Sequence, residues 1–191
     1  ENGKVVTEKV PIKKADWLFD WHSEIKSKTK NVFKLTTLNN SDIIHGIISF
    51  TDKGDHVFMD LIESAKFNKG NKKLYHGVAG NLVAFACKTS FEKGYDGIVS
   101  FIAKTQLIEH YKLTLGAKLF SGNRMFIDTK EAYILTIKYF KNFKYSLIFS
   151  FGNETGFVPN KCSTLSNWIL VKNASEFKMY DKSFSVISKL F

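Results

Sequence analysis

A lysine-rich loop runs directly into a small-residue helix start. Lys66, Lys69, Lys72 and Lys73 precede Gly77-Val78-Ala79-Gly80, and Asn81 follows. These residue types in this order suit the binding of a diphosphate. The first turn of a helix leaves backbone N–H groups without intrahelical partners. The helix dipole adds partial positive charge at the same place, and glycine or alanine lets phosphate oxygens come close to the backbone. The lysines surround the turn with a diffuse positive field. The segment is not a P-loop, because Gly-Lys-Ser/Thr is absent at the required spacing. Nor is it a dinucleotide fingerprint, since the strand before it reads as part of an antiparallel meander. Just before the loop, Glu63 and Asp60 lie late in that strand, and strict alternation places them on opposite faces unless a bulge intervenes. Tyr111 and His110 lie on a helix. Cys87 and Cys162 have no metal-ligand spacing, and the five histidines do not gather near them, so reduced, buried thiols and no metal are expected.

The elements that must position these groups follow from periodicity. Trp17, Leu18, Trp21 and Ile25 stand at helical spacing and predict a helix over 15–27. Alternating or apolar runs bounded by turn residues predict strands over 31–38, 42–51 and 56–65. Their connections are too short for parallel crossovers. A helix over 77–93 ends at Gly94, and a buried strand is predicted over 97–103. Thr105 is expected to cap a helix over 106–115 that Gly116 terminates. A hairpin over 117–120 and 124–128 follows, and Asp128 with Glu131 forms a capping box for a helix over 129–140. The helix-linked strands 56–65 and 97–103 then lie parallel inside an otherwise antiparallel sheet. Residues 1–30 read as a lead-in and helix, 31–140 as the α/β domain, and 141–191 as an extension with strands expected over 145–151 and 168–171.

This order resembles the GNAT superfamily of acyl-CoA-dependent N-acyltransferases, across about residues 31–140. Gly77 and Ala79 match the G-x-G/A part of that family's pyrophosphate turn, Q/R-x-x-G-x-G/A, and Gly80 follows. Leu74 stands where the family has glutamine or arginine, which leaves Lys72 or Lys73 to supply the donor. The run from Gly97 through Phe120, with Leu115-Gly116-Ala117 before the hairpin, looks like the family's fifth strand, fourth helix and sixth strand. The resemblance implies a GNAT-like α/β fold: a mixed, mostly antiparallel sheet, splayed central parallel strands and flanking helices. It implies acetyl-CoA as acyl donor, held by Lys72, Lys73, Gly77, Val78, Ala79, Gly80 and Asn81, with the backbone at Leu61 and Ile62 taking the pantetheine arm. It further implies direct attack of an amine on the thioester, with Tyr111 as acid and Glu63 as base. A catalytically silent acyl-CoA-binding module of the same fold is the alternative.

The net charge of +10 points to an anionic partner. Yet Arg124 is the only arginine, and base reading and bidentate phosphate clamps favour arginine. Nucleic acid therefore stays open as a partner but is not favoured, and a CoA phosphate accounts for the charge equally well. The acceptor amine is expected on a small molecule, a protein or an aminoacyl-tRNA. No apolar run reaches the ~20 residues of a membrane span. A cytoplasmic monomer or homodimer without membrane contact is expected.

Overall fold

Residues 30–64 cross one sheet three times, and each return is too short for anything but antiparallel pairing. The computed structural model describes residues 16–38, 40–141, 143, 148–151, 154–157 and 184–189. Its elements run α1 (Trp21–Lys26), β1 (Lys30–Thr37), β2 (Gly46–Asp52), β3 (Val57–Ser64), α2 (Val78–Glu92), β4 (Val99–Ile102), α3 (Ile108–Leu115), β5 (Lys118–Ser121), β6 (Arg124–Ile127), α4 (Thr129–Tyr139), β7 (Ile148–Phe151), β8 (Glu154–Phe157) and β9 (Phe184–Lys189). Seven strands form one sheet in the order β5-β6-β4-β3-β2-β1-β9. Among the described residues, only β3 and β4 pair in parallel. The mixed, mostly antiparallel sheet with a central parallel pair and flanking helices is as the sequence leads one to expect.

Helices cover the two faces unequally. On one face α2, α3 and α4 pack over a core that includes Phe50, Val57, Met59, Leu82, Phe101 and Met125. On the other, α1 drives Trp21 against Val32, Ile44 and Ile47. Trp21 is 1% exposed, and burial of a side chain this large contributes about 2–3 kcal/mol. The Asp128 carboxylate accepts from the Glu131 N–H at 3.1 Å, so the capping signal at the start of α4 is genuine.

Three expectations need correction. The helix over 15–27 is helical only from Trp21 to Lys26. The Leu18 and Phe19 N–H groups donate instead to the Glu63 carboxylate, and Asp20 takes the cap, accepting from the Ser23 N–H. Thr105 does not cap α3; it opens a 3-10 turn, Thr105–Leu107, and α3 begins at Ile108 with no side-chain cap. Asp60 and Glu63 do not lie on opposite faces. Ser49 pairs with Leu61 while the next residue, Phe50, pairs with Met59, so Asp60 is the extra residue of a β-bulge. Val57, Met59 and Ile62 face the α2 side. Asp60 instead accepts from Thr51 Oγ1 at 2.8 Å and lies 3.8 Å from Lys30, and Glu63 reaches Trp21. In the segment after residue 140, β7 falls within the strand expected over 145–151 and pairs with β8 as a separate hairpin, and β9 pairs antiparallel with β1. The strand expected over 168–171 lies outside the described residues.

Candidate functional site

The parallel pairing of β3 with β4 is short. Val57, Phe58 and Met59 face Val99, Ser100 and Phe101, and β4 ends at Ile102. β3 continues to Ser64, paired among the described residues with β2 alone. The bulge at Asp60 begins where the pairing stops, and a bulge bends and twists the strand that carries it. Ala103 donates its N–H to the Asn123 carbonyl at 2.9 Å, which draws the end of β4 toward the β5–β6 hairpin. Between the two strands lies a fork, and the backbone edge of β3 from Asp60 to Ser64 has no strand partner there among the described residues. Leu61 and Ile62 are on this free edge.

The start of α2 sits at the open end of that edge. A Cβ on Gly46, which pairs with Ser64, would lie 2.8 Å from Val78 Cγ1 and 3.1 Å from the Glu63 carbonyl oxygen. The side chain of Val78 thus packs closely on the backbone of β2 at Gly46, beside the end of β3. Gly77 precedes the helix at φ 79°, in the left-handed region, with no side chain capping the helix and no acidic residue in its first turn. The Asn81 N–H donates to the Gly77 carbonyl at 2.8 Å. The N–H groups of Val78, Ala79 and Gly80 come before it. Ala79 is exposed, whereas the side chains of Val78 and Asn81 are buried.

Gly80 has a packing role as well. A Cβ there would overlap the Tyr139 hydroxyl of α4. In a helix, Gly→Ala ordinarily stabilises by about 0.5–1 kcal/mol. Here the overlap is expected to reverse the sign, so that Gly80→Ala lowers thermal stability by roughly 1–3 kcal/mol. Adding Tyr139→Phe should restore part of the loss. A raised melting temperature for Gly80→Ala alone would refute the contact.

The lysine loop is shaped by a residue whose type gave no warning in the sequence. Asn68, 6% exposed, accepts from the Tyr75 N–H at 3.0 Å and donates to the His45 carbonyl at 3.2 Å. Its Nδ2 also lies 3.3 Å from His45 Nδ1. Burial lowers the His45 pKa, favouring the neutral imidazole. Within the loop, Lys72 and Lys73 are exposed, and Leu74 is 67% exposed. Lys69 is committed elsewhere: its Nζ lies 2.8 Å from Glu63 Oε1.

Glu63 holds several parts of the molecule together. Its carboxylate is 2% exposed and accepts from the Leu18 N–H at 2.9 Å, the Phe19 N–H at 3.3 Å, Trp21 Nε1 at 3.0 Å and Lys69. Burial pushes its pKa up. Lys69, the Leu18 N–H, the Trp21 indole and the Phe19 N–H together outweigh that and hold it below the usual glutamate range. Stability from this network is present above the ordinary glutamate pKa and is lost as the pH falls through the depressed folded value. Glu63→Ala is expected to cost about 3 kcal/mol at neutral pH, because it strands buried donors and a cation. The difference from wild type should narrow as the pH falls below the ordinary glutamate range. Thermal unfolding followed by tryptophan fluorescence across that range measures both.

Tyr111 packs edge-on against Phe101, with ring centroids 5.2 Å apart at 82°. Phe101 is the last β4 residue in register with β3, so the phenol stands beside the fork. Burial raises its pKa, and the hydroxyl stays protonated at neutral pH. Neighbouring His110 is exposed. Cys87 is fully buried, and burial pushes its thiol far up. Among the described residues no group of His, Cys, Asp and Glu is arranged to hold a metal, and no helix is long and apolar enough to cross a membrane.

No family model matches the chain, and no curated protein does. Solved structures do. A KacTA–DNA complex contains a chain 14% identical, matched over 59% of this chain and 76% of that one with a TM-score of 0.45. GCN5 from Tetrahymena is 11% identical over 54% of this chain and 71% of its own, with a TM-score of 0.40. A nourseothricin acetyltransferase is 14% identical over 58% and 95%, with a TM-score of 0.36.

Proposed function

We propose that the protein transfers an acetyl group from acetyl-CoA to an amine by direct attack. The observation that carries this reading is the junction of an uncapped helix start with a forked pair of strands. The uncapped start of α2 adjoins the end of the free β3 edge through Gly46, which pairs with Ser64 and packs on Val78, so one extended ligand can reach both. Its diphosphate would lie on the helix start, supported by Lys72 and Lys73. Its pantetheine arm would run along the backbone at Leu61 and Ile62, forming β-like hydrogen bonds. Such a ligand is long, anionic at one end and amide-bearing in the middle, which is the chemistry of a CoA thioester. The GNAT pattern in the sequence agrees.

In the reaction, the amine nitrogen attacks the thioester carbonyl carbon and a C–N bond forms. The tetrahedral intermediate then collapses and the C–S bond breaks. Tyr111, protonated and beside the fork, gives its proton to the departing thiolate. The amine must lose a proton to a base. Glu63 is a poor choice, since its oxygens are already engaged and its pKa is lowered. We assign it the task of fixing the wall of the cleft, and water receives the proton. Titration calorimetry with acetyl-CoA, followed by thiol release in the presence of amines, tests the proposal. Absence of acetyl-CoA binding would end it. Binding without thiol release from any amine would favour the silent module.

A further inference from the structure

Lys104 follows the end of β4, on one arm of the fork. Its ammonium reaches across to the other arm, where it lies 5.9 Å from the centroid of the Phe19 ring. Phe19 is itself fastened to β3 through its N–H bond to Glu63. The Lys104–Phe19 pair therefore bridges the gap on the α1 side of the sheet, opposite the face on which α2 packs.

Three carboxylates on this side of the sheet are each met by a lysine. Glu63 is met by Lys69 at 2.8 Å. Asp60 accepts from Thr51 and lies 3.8 Å from Lys30, and Lys30 is 2.7 Å from Glu24. Lys104 is exposed and forms no ion pair with a carboxylate among the described residues. A cation whose described partner is an aromatic face keeps most of its charge available to a ligand. We infer that Lys104 selects for acceptor amines that carry an anionic group near the amino nitrogen, with Phe19 positioning the ammonium at the mouth of the fork. A like-charged polyamine would be repelled at the same place. This inference rests on the transferase reading above.

Four short amines separate the outcomes: 3-aminopropanoate, 2-aminoethyl phosphate, 3-aminopropanol and 1,3-diaminopropane. With saturating acetyl-CoA, kcat/KM should be highest for the two anions, intermediate for the neutral alcohol and lowest for the diamine. The comparison between the carboxylate and the phosphate shows which anion is preferred. Lys104→Met, which keeps the apolar stem, should remove the order. Lys104→Glu should invert it, lowering kcat/KM for the anions roughly tenfold and leaving acetyl-CoA affinity as in wild type. Raised salt should compress the wild-type order. A protein that acetylates amines without this order, or that binds acetyl-CoA and turns over none of the four, overturns the inference alone. A protein that binds no acetyl-CoA overturns the transferase reading with it.

Discussion

Acetyl-CoA is expected not to bind the Ala79→Glu protein. Ala79 is an exposed residue in the first turn of α2, so a longer side chain meets no packing obstacle. A carboxylate there complements the helix dipole and should stabilise the helix by about 0.3–1 kcal/mol. The same carboxylate would lie where the diphosphate is proposed to sit, and placing like charges together costs several kcal/mol. Affinity should fall by roughly a hundredfold or more with the melting temperature unchanged or slightly raised. That opposition of signs separates loss of a site from loss of a fold. Gly77 gives a blunter test, because its φ of 79° makes any side chain cost about 1–2 kcal/mol in backbone strain. Calorimetric affinity like that of wild type in Ala79→Glu would move the phosphate site away from this helix.

Tyr111→Phe should lower kcat by roughly 10²–10⁴-fold, the ordinary worth of a positioned general acid. The ring remains, so its edge-on contact with Phe101 at 5.2 Å survives and acetyl-CoA affinity should hold. kcat and kcat/KM should fall together, as they do when a group acts only in the transition state. Steady-state kinetics beside calorimetry decides it. An unaltered kcat would assign the phenol to packing alone.

Much of this arrangement could be read from the order of residues. The start of α2, its stop at Gly94 and the capping box at Asp128 are written in local sequence, because helix ends are decided by a few neighbouring residues. The role of Glu63 was not legible. Its partners Leu18, Phe19 and Trp21 are 45, 44 and 42 residues away, and no local pattern signals a contact at that range. The bulge at Asp60 was equally hidden, because period-two alternation carries no mark at the point where it skips. The free edge of β3 was anticipated only through the resemblance. What makes it free is β4 ending at Ile102 and turning toward Asn123.

The surplus residue in β3 also separates two properties that usually change together. Deleting Asp60 would leave Met59 and Ile62 turned toward one layer of helices and Leu61 and Glu63 toward the other, as they are now. The strand would lose its bend and keep its inside and outside. Among relatives of this chain, an alignment gap at that column would then identify proteins with an intact core and a narrowed slot, and a shortened variant made in the laboratory would measure how much of ligand capture depends on the bend alone.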